Sequence, residues 1–229
     1  MNSSDESIIG GKVFVITGPT NAGKDTIYNE LFGDEKFLKE ANLHKVVRYT
    51  SRAKRENEEE GIDYYFRSNT EMEKLILSEF FIEYSDFQKY DDNGNHVTTI
   101  YGTSYQSLEY GDKNYILTGS IEVLETLKEE LGDRVIPIYI DAPGRHRLRR
   151  YLDRGNDDSA EEICRRFLDD LKKYNKDDLN RLGMTEEEGN IFINKDTTKD
   201  VPISSIFGSV FIIEDTLKEI KSYIISKVK

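Results

Sequence analysis

The segment Gly18-Pro19-Thr20-Asn21-Ala22-Gly23-Lys24-Asp25-Thr26 follows the β-branched run Val13-Phe14-Val15-Ile16 and precedes apolar residues at helical spacing, Ile27, Leu31 and Phe32. A strand, a glycine loop and a helix start in that order make a cradle for phosphate oxygens. The glycines let the chain curl until successive backbone N–H groups point at one anion, and the helix N-terminus adds partial positive charge. Lys24 then reaches the β- and γ-phosphates of a nucleoside triphosphate. The spacing Gly-x4-Gly-Lys is complete. The next position, where a Ser or Thr hydroxyl usually takes a Mg2+ coordination site, holds Asp25, followed by Thr26. A carboxylate is a good hard-cation ligand, so Asp25 and Thr26 are the candidate metal ligands and Mg2+ is the expected cofactor. Asp25 also sets a negative charge beside the phosphates, which is expected to weaken metal-free triphosphate binding.

Elements that would position this loop are readable along the chain. Residues 12–17 read as a buried strand and residues 24–32 as a helix. Further strands are expected at 43–49, 114–117, 134–140 and 190–194, and helices at 120–131, 144–152, 161–174 and 214–227. In the last of these, Leu217, Ile220 and Ile224, with Ile213 just ahead, fall on one face and read as core cover. Strands alternating with helices of this length imply a mostly parallel sheet covered on both faces. The stretch 51–107 breaks the alternation, with strand patterns at 63–66, 80–87 and 97–101, a helix near 70–77, and the turn cluster Asp91-Asp92-Asn93-Gly94-Asn95 between two arms. The expected architecture is a three-layer α/β core of the P-loop NTPase type (residues 11–50 and 108–229) with a small mixed, mostly β insert at 51–107. Residues 1–10 read as a flexible, polar and acidic tail with no signal-peptide pattern.

Bulk properties exclude several classes. The 229 residues are 33% charged and 37% hydrophobic, which suits a soluble globule, and the longest apolar runs are too short to span a bilayer. A net charge of −12 argues against a nucleic-acid partner bound through its phosphates. Positive charge is clustered instead, from His146 to Arg154 and at Arg165-Arg166, as suits a small anionic ligand. The single cysteine, Cys164, fits a reducing, cytoplasmic setting and reads as a small packing residue on its helix. His44, His96 and His146 share no metal-ligand spacing with it, so no zinc site is expected.

Several further segments, in order, resemble the guanylate kinase family from Val13 to about Asp196. The family's acceptor segment Thr-Thr-Arg-x-x-Arg-x-Gly-Glu followed by Asp-Tyr-x-Phe is matched by Thr50-Ser51-Arg52-Ala53-Lys54-Arg55-Glu56-Asn57-Glu58 and Asp63-Tyr64-Tyr65-Phe66. Its Glu-Phe-x-Glu-Tyr is matched by Phe80-Phe81-Ile82-Glu83-Tyr84, with Phe80 in place of the first Glu. Tyr101-Gly102-Thr103-Ser104 is intact. The resemblance implies a clamp for an acceptor monophosphate made of Arg52, Arg55, Tyr64 and Tyr101, since guanidinium forks and phenol hydroxyls suit a phosphate dianion. It implies that Glu83, with Thr103 beside it, reads the guanine N1–H and N2–H2 edge, because a carboxylate offers acceptors and no donor. It further implies a lid at about 145–160 whose Arg150 and Arg154, with Arg166 on the next helix, steady the moving phosphoryl group, and an Asn194 near the ATP adenine. Arg147 and Arg149 read as ordinary helix-surface arginines.

Beyond Asp25 and Phe80, the chain departs from the family around the base. The usual Leu-Asp-x-Asp after a core strand is Leu117-Thr118-Gly119-Ser120, so Thr118 and Ser120 stand where carboxylates are expected near the base. One lost hydrogen bond to a charged group is worth about 1.5–3 kcal/mol. Arg48 replaces a serine four places before Arg52 and is a candidate donor to the base carbonyl O6, and Lys195 replaces an aspartate. The resulting expectation is a cytoplasmic enzyme moving the γ-phosphoryl of ATP to GMP or dGMP. A kinase of another nucleoside monophosphate and a binding module without catalysis are the rival readings; retention of Gly18, Gly23 and Lys24 speaks against the second.

Overall fold

Strand β1 (Val13–Thr17) is buried along its whole length, so neither of its faces can be an outer surface. In the structure, a computed structural model describing residues 10–90, 96–108, 112–153, 160–194 and 210–228, β1 is the middle strand of a five-stranded parallel sheet. Its neighbours are β7 (Asn114–Thr118) and β8 (Val135–Asp141); β2 (Leu43–Lys45) and β9 (Ile191–Ile193) are the edges. Alternate side chains of β1 enter two cores. Phe14 and Ile16 join Ile27 and Leu31 of α1 (Lys24–Phe32) and Ile220 and Ile224 of α8 (Val210–Val228). Val13 and Val15 join Val123, Leu124 and Leu127 of α4 (Ile121–Leu131). The expected helical tail cover is present: Ile220 and Ile224 are buried and Leu217 partly so. The side chain of Ile213 lies outside the described residues.

The second sheet has the order β4-β3-β6-β5, from β3 (Arg48–Thr50), β4 (Tyr64–Phe66), β5 (Phe81–Tyr90) and β6 (His96–Ser104). Helix α3 (Asn69–Leu77) covers one face. It starts at a capping box formed by Ser68 and Glu71 and buries Met72 against Phe81 and Ile100. The expected turn at Asp91–Asn95 lies outside the described residues, but its two arms pair antiparallel from Phe81↔Ser104 to Tyr90↔His96.

The structure corrects the reading of 43–49 as one strand. Leu43–Lys45 pairs with β7 in the core sheet, whereas Arg48–Thr50 pairs with β4 and β6. The Val46 N–H still donates to the Ile116 carbonyl of the core, while the Val47 carbonyl accepts from Ser107 Oγ. The change of sheet therefore falls between these two valines, ahead of the boundary expected at residue 51. Two short helices were not anticipated, α2 (Glu35–Glu40) and α7 (Lys176–Arg181), although Asp34 and Asn175 cap them through their side chains. Helices α5 (Gly144–Asp153) and α6 (Ala160–Lys173) complete the chain near the loop after β1. Cys164 is exposed on α6, not packed: the face of that helix that turns inward carries Asp170 instead. Among the described residues, no helix is long and apolar enough to cross a membrane.

Candidate active site

At the carboxyl end of β1 the chain turns through Gly18, at φ 145°, and Gly23, at φ 97°, conformations that glycine alone adopts without strain. Space demands glycine as well: a Cβ at Gly18 would lie 2.0 Å from the Ile140 carbonyl oxygen, and one at Gly23 2.3 Å from Asn194 Nδ2. Gly23 is the N-cap of α1. Lys24 folds back over the loop, its Nζ donating to the carbonyls of Gly18 (2.7 Å) and Pro19 (2.9 Å). Asn194 Nδ2 donates to Ala22 O at 2.8 Å, and Arg150 Nη1 donates to the carbonyls of Asn21 and Ala22, each at 3.2 Å. The expected members Gly18 to Lys24, Arg150 and Asn194 thus share one cluster. The amide Nδ2 of Asn21 is buried without a partner among the described residues. An unsatisfied buried donor in a phosphate cradle suits an anion.

Asp25 and Thr26 are exposed in the first turn of α1. Helix α1 also reaches toward the second sheet. Burial pushes the Tyr28 phenol well up, with Tyr64 and Arg48 close enough to act on it, and Asp25 is likewise felt by Tyr64. The first turn and a half of α1, from Asp25 to Tyr28, therefore lies between the loop after β1 and the second sheet.

The facing side of that sheet follows from its register. Glu83 stands opposite Thr103, Ser85 opposite Tyr101, Thr50 opposite Tyr101 and Arg48 opposite Tyr64, so with period two these residues line one face. Glu83 is 3% exposed. Its Oε1 accepts from Arg48 Nη2 at 2.7 Å and from Thr103 Oγ1 at 2.5 Å, and Arg48 Nε donates to Thr103 Oγ1 at 3.1 Å. Glu83 Oε2 and Ser85 Oγ are buried with no partner among the described residues. Sequence reasoning missed Ser85; its place two residues beyond Glu83 on an alternating strand was the available signal.

Farther along the same face, the rings of Tyr64 and Tyr101 meet edge to face at 6.0 Å. Burial, and then Tyr101, raise the Tyr64 phenol above its usual range, so it remains a neutral hydroxyl donor. The Arg52 guanidinium lies 5.3 Å over the Tyr64 ring and grips Glu58 through both Nη atoms, at 2.9 and 2.7 Å. That fork holds the Glu58 carboxyl below its ordinary range and Arg52 above its own. Glu58 Oε2 also accepts from the Arg55 N–H at 2.9 Å, and the Arg55 side chain is exposed. Thr118 ends β7. Ser120 is the N-cap of α4, its side chain bonded to Glu122.

The arginines of α5 and α6 divide differently from the sequence expectation. Arg147, read as a surface residue, is 7% exposed. It pairs with Asp170 of α6 at 2.7 Å and donates to Thr20 O at 3.2 Å, while Asp170 accepts from Thr20 N (3.0 Å) and Thr20 Oγ1 (3.3 Å). Arg149 is a surface residue, 3.9 Å from Asp153. Arg154 lies outside the described residues. Arg166 is half-buried, its guanidinium 5.7 Å over the Tyr151 ring, and Nε donates to Glu162 Oε1 at 2.6 Å.

Glu162 is also gripped by Arg165, and these two arginines, Arg165 first, hold its carboxyl down to about 2. A depressed carboxylate stabilises the fold above its unfolded pKa, and the contribution disappears as pH falls through the folded value. Replacing Glu162 by Gln is therefore expected to lower the melting temperature at pH 7. The gap from wild type should shrink below about pH 4.5, where an unfolded carboxylate titrates, and close near pH 2. Thermal melts across that range check it; a constant gap would mean that packing, not charge, carries the effect.

A glycine loop at a helix N-terminus thus stands near a sheet carrying a buried carboxylate and an arginine–tyrosine cluster. The family model described as Guanylate kinase matches residues 10–179. The chain belongs to the guanylate kinase family. It is 33% identical to the guanylate kinase of Porphyromonas gingivalis over 158 residues, covering 68% of this chain and 78% of that protein. Identity to the guanylate kinase of Mycoplasma mobile is 36% over 163 residues, 67% of this chain and 74% of the relative. The crystal structure of guanylate kinase from Anaplasma phagocytophilum superposes with a TM-score of 0.52 at 20% identity, covering 94% of this chain and 85% of that one, a likeness of fold. Helix α8 lies beyond the part matched by the family model.

Proposed function

We propose that this chain transfers the γ-phosphoryl group of ATP to GMP or dGMP, giving ADP and GDP or dGDP, as a cytoplasmic enzyme with small nucleotides and no nucleic acid as partners. The observation that carries this reading is Glu83, buried on the face that also presents Arg52, Tyr64 and Tyr101, with Oε2 left unpartnered. A buried carboxylate oxygen without a donor is costly, and the N–H edge of a guanine base supplies one.

In this reading the loop N–H groups and Lys24 hold the triphosphate, whose arrival draws Nζ off the loop carbonyls. Arg52, Arg55, Tyr64 and Tyr101 hold the acceptor phosphate, with Glu58 setting the Arg52 fork. Thr103 orients Glu83 at the base edge beside Arg48, and Thr118 and Ser120 border it as neutral groups. Arg150, Arg154 and Arg166 spread the charge of the moving phosphoryl group. No general base is required, because the acceptor oxygen is already anionic. The residues present fit Mg2+. Asp25 and Thr26 offer exposed oxygens at the loop, and no cluster of three His, Cys, Asp or Glu exists among the described residues. A hard cation held there by one or two protein oxygens keeps waters and phosphate oxygens as its other ligands. When bound, it would neutralise charge between the β- and γ-phosphates.

A coupled ADP-release assay with ATP and Mg2+ against GMP, dGMP, AMP, UMP and CMP tests the proposal. Turnover with GMP and dGMP and none with AMP or the pyrimidines is the expected result. Turnover with AMP or CMP above GMP would overturn the acceptor, and silence with all five would overturn the enzyme.

A further inference from the structure

The acceptor face shows fewer hydrogen-bonding groups to a base than a guanine edge can use. Glu83 Oε1 already accepts from both Arg48 and Thr103, so Oε2 alone remains open. Arg48 uses Nε on Thr103 and Nη2 on Glu83, and its side chain is 12% exposed. Among the described residues, Nη1 has no hydrogen-bond partner. The pair thus offers one donor group next to one acceptor atom.

A 6-oxopurine presents the complement of that pair, an accepting O6 beside a donating N1–H. Adenine presents the reverse, a donating N6–H2 beside an accepting N1, and sets donor against donor and acceptor against acceptor. Guanine differs from hypoxanthine only by the 2-amino group, which needs a further acceptor. Ile82, next to Glu83, is buried in the same cluster as Leu117 and Ile121, which bracket Thr118-Gly119-Ser120. That bracketed segment holds no carboxylate. The Ser120 hydroxyl donates to Glu122, whose own carboxylate pairs with Lys173 at 2.6 Å, so its oxygen is at most a neutral acceptor already hydrogen-bonded without a base. The other orphaned atom, Ser85 Oγ, stands opposite Tyr101, at the end of the face where Arg52 and Tyr64 gather.

We infer that the pocket reads O6 and N1–H of a purine through Arg48 and Glu83 and leaves the 2-amino group unread, so that inosine 5′-monophosphate is an acceptor comparable to GMP. The inference rests on the proposed use of this sheet as the acceptor site. A site with a buried partner for a substrate N–H rejects the analogue lacking it by large factors, because that partner is left unpaired; among the described residues, the segment Thr118-Gly119-Ser120 offers the 2-amino group only neutral oxygens and no carboxylate that its loss would leave unpaired.

The test uses the full chain with saturating ATP and Mg2+ and compares kcat/KM for IMP, GMP and AMP, while calorimetry without ATP compares the affinities of IMP and GMP. IMP is expected within about tenfold of GMP in both measurements, the factor of one net neutral hydrogen bond, with AMP at least about a thousandfold lower, as for a mismatched buried polar edge. Replacing Arg48 by Met is expected to raise KM for GMP and IMP by the same factor and to leave kcat nearly unchanged. IMP more than about 100-fold below GMP in both measurements, the worth of a bond to a charged group, would overturn the inference while leaving guanylate phosphorylation intact. If GMP binds without turnover, the phosphotransfer reading fails and the affinity ratio still decides the inference. If neither nucleotide binds, both fail.

Discussion

Glu83→Gln is expected to lower kcat/KM for GMP by about 100-fold or more, mostly through KM. The loss of a hydrogen bond to a charged acceptor is worth about 1.5–3 kcal/mol, or about 10- to 100-fold. The amide adds to that loss. Its carbonyl oxygen is the only atom that can still accept from Arg48 and Thr103, which at present both use Oε1. The NH2 group must then take the place of Oε2 and aim two hydrogens at the N1–H of the base. A donor facing a donor in a buried site is worse than a vacancy, because neither group reaches water. The same NH2 would suit adenine N1, so the preference for GMP over AMP should narrow by more than the drop in GMP activity alone. The Arg48 contact survives in weakened form, so the melting temperature should move only a few degrees. KM and kcat for GMP and AMP, with a thermal melt, check all three parts. A change in kcat/KM below threefold would remove Glu83 from the base edge.

The chemistry of this chain was most legible where local sequence dictates the structure. The run Val13-Phe14-Val15-Ile16, the glycines and Lys24 define strand, loop and helix with little help from distant residues, and the loop stands where expected. Glu83, Tyr101 and Thr103 were readable through the segments that resemble guanylate kinases, and the pairing of β5 with β6 then brings them to one face. What sequence could not supply were choices made by long-range packing. Arg145 to Arg150 is so rich in arginine that periodicity cannot say which one turns inward, and the selector of Arg147 is Asp170, on another helix. In α6 Cys164 reads as a packing residue, yet it is exposed, as are Leu168 and Leu171, and Asp170 is buried instead. The change of sheet between Val46 and Val47 is invisible in an unbroken apolar pair, since only the partners, β7 on one side and β6 on the other, differ.

The buried pair that sequence missed has the largest expected effect on stability. Arg147 and Asp170 have side chains 8% and 10% exposed, and Arg147 Nε has no partner among the described residues. Removing one member of such a pair costs about 3–5 kcal/mol, because the other is left as an uncompensated buried charge. At about 2–4 °C per kcal/mol for a chain of this size, Asp170→Ala is expected to lower the melting temperature by about 6–20 °C. Asp170 also accepts from the N–H and hydroxyl of Thr20, in the phosphate loop. Its loss should therefore raise KM for ATP severalfold while leaving KM for GMP nearly unchanged, a split that a general loss of stability does not produce when both are measured well below the melting point. The double substitution Arg147→Met with Asp170→Leu separates the two roles. With both charges gone and the volume kept, no desolvated charge is left uncompensated, and most of the melting temperature should return. The Thr20 N–H would still lack its acceptor, so KM for ATP should stay high. If the double variant melts as low as the single one, the pair contributes packing rather than charge compensation; if KM for ATP recovers with the melting temperature, Asp170 has no hold on the loop beyond keeping α6 in place.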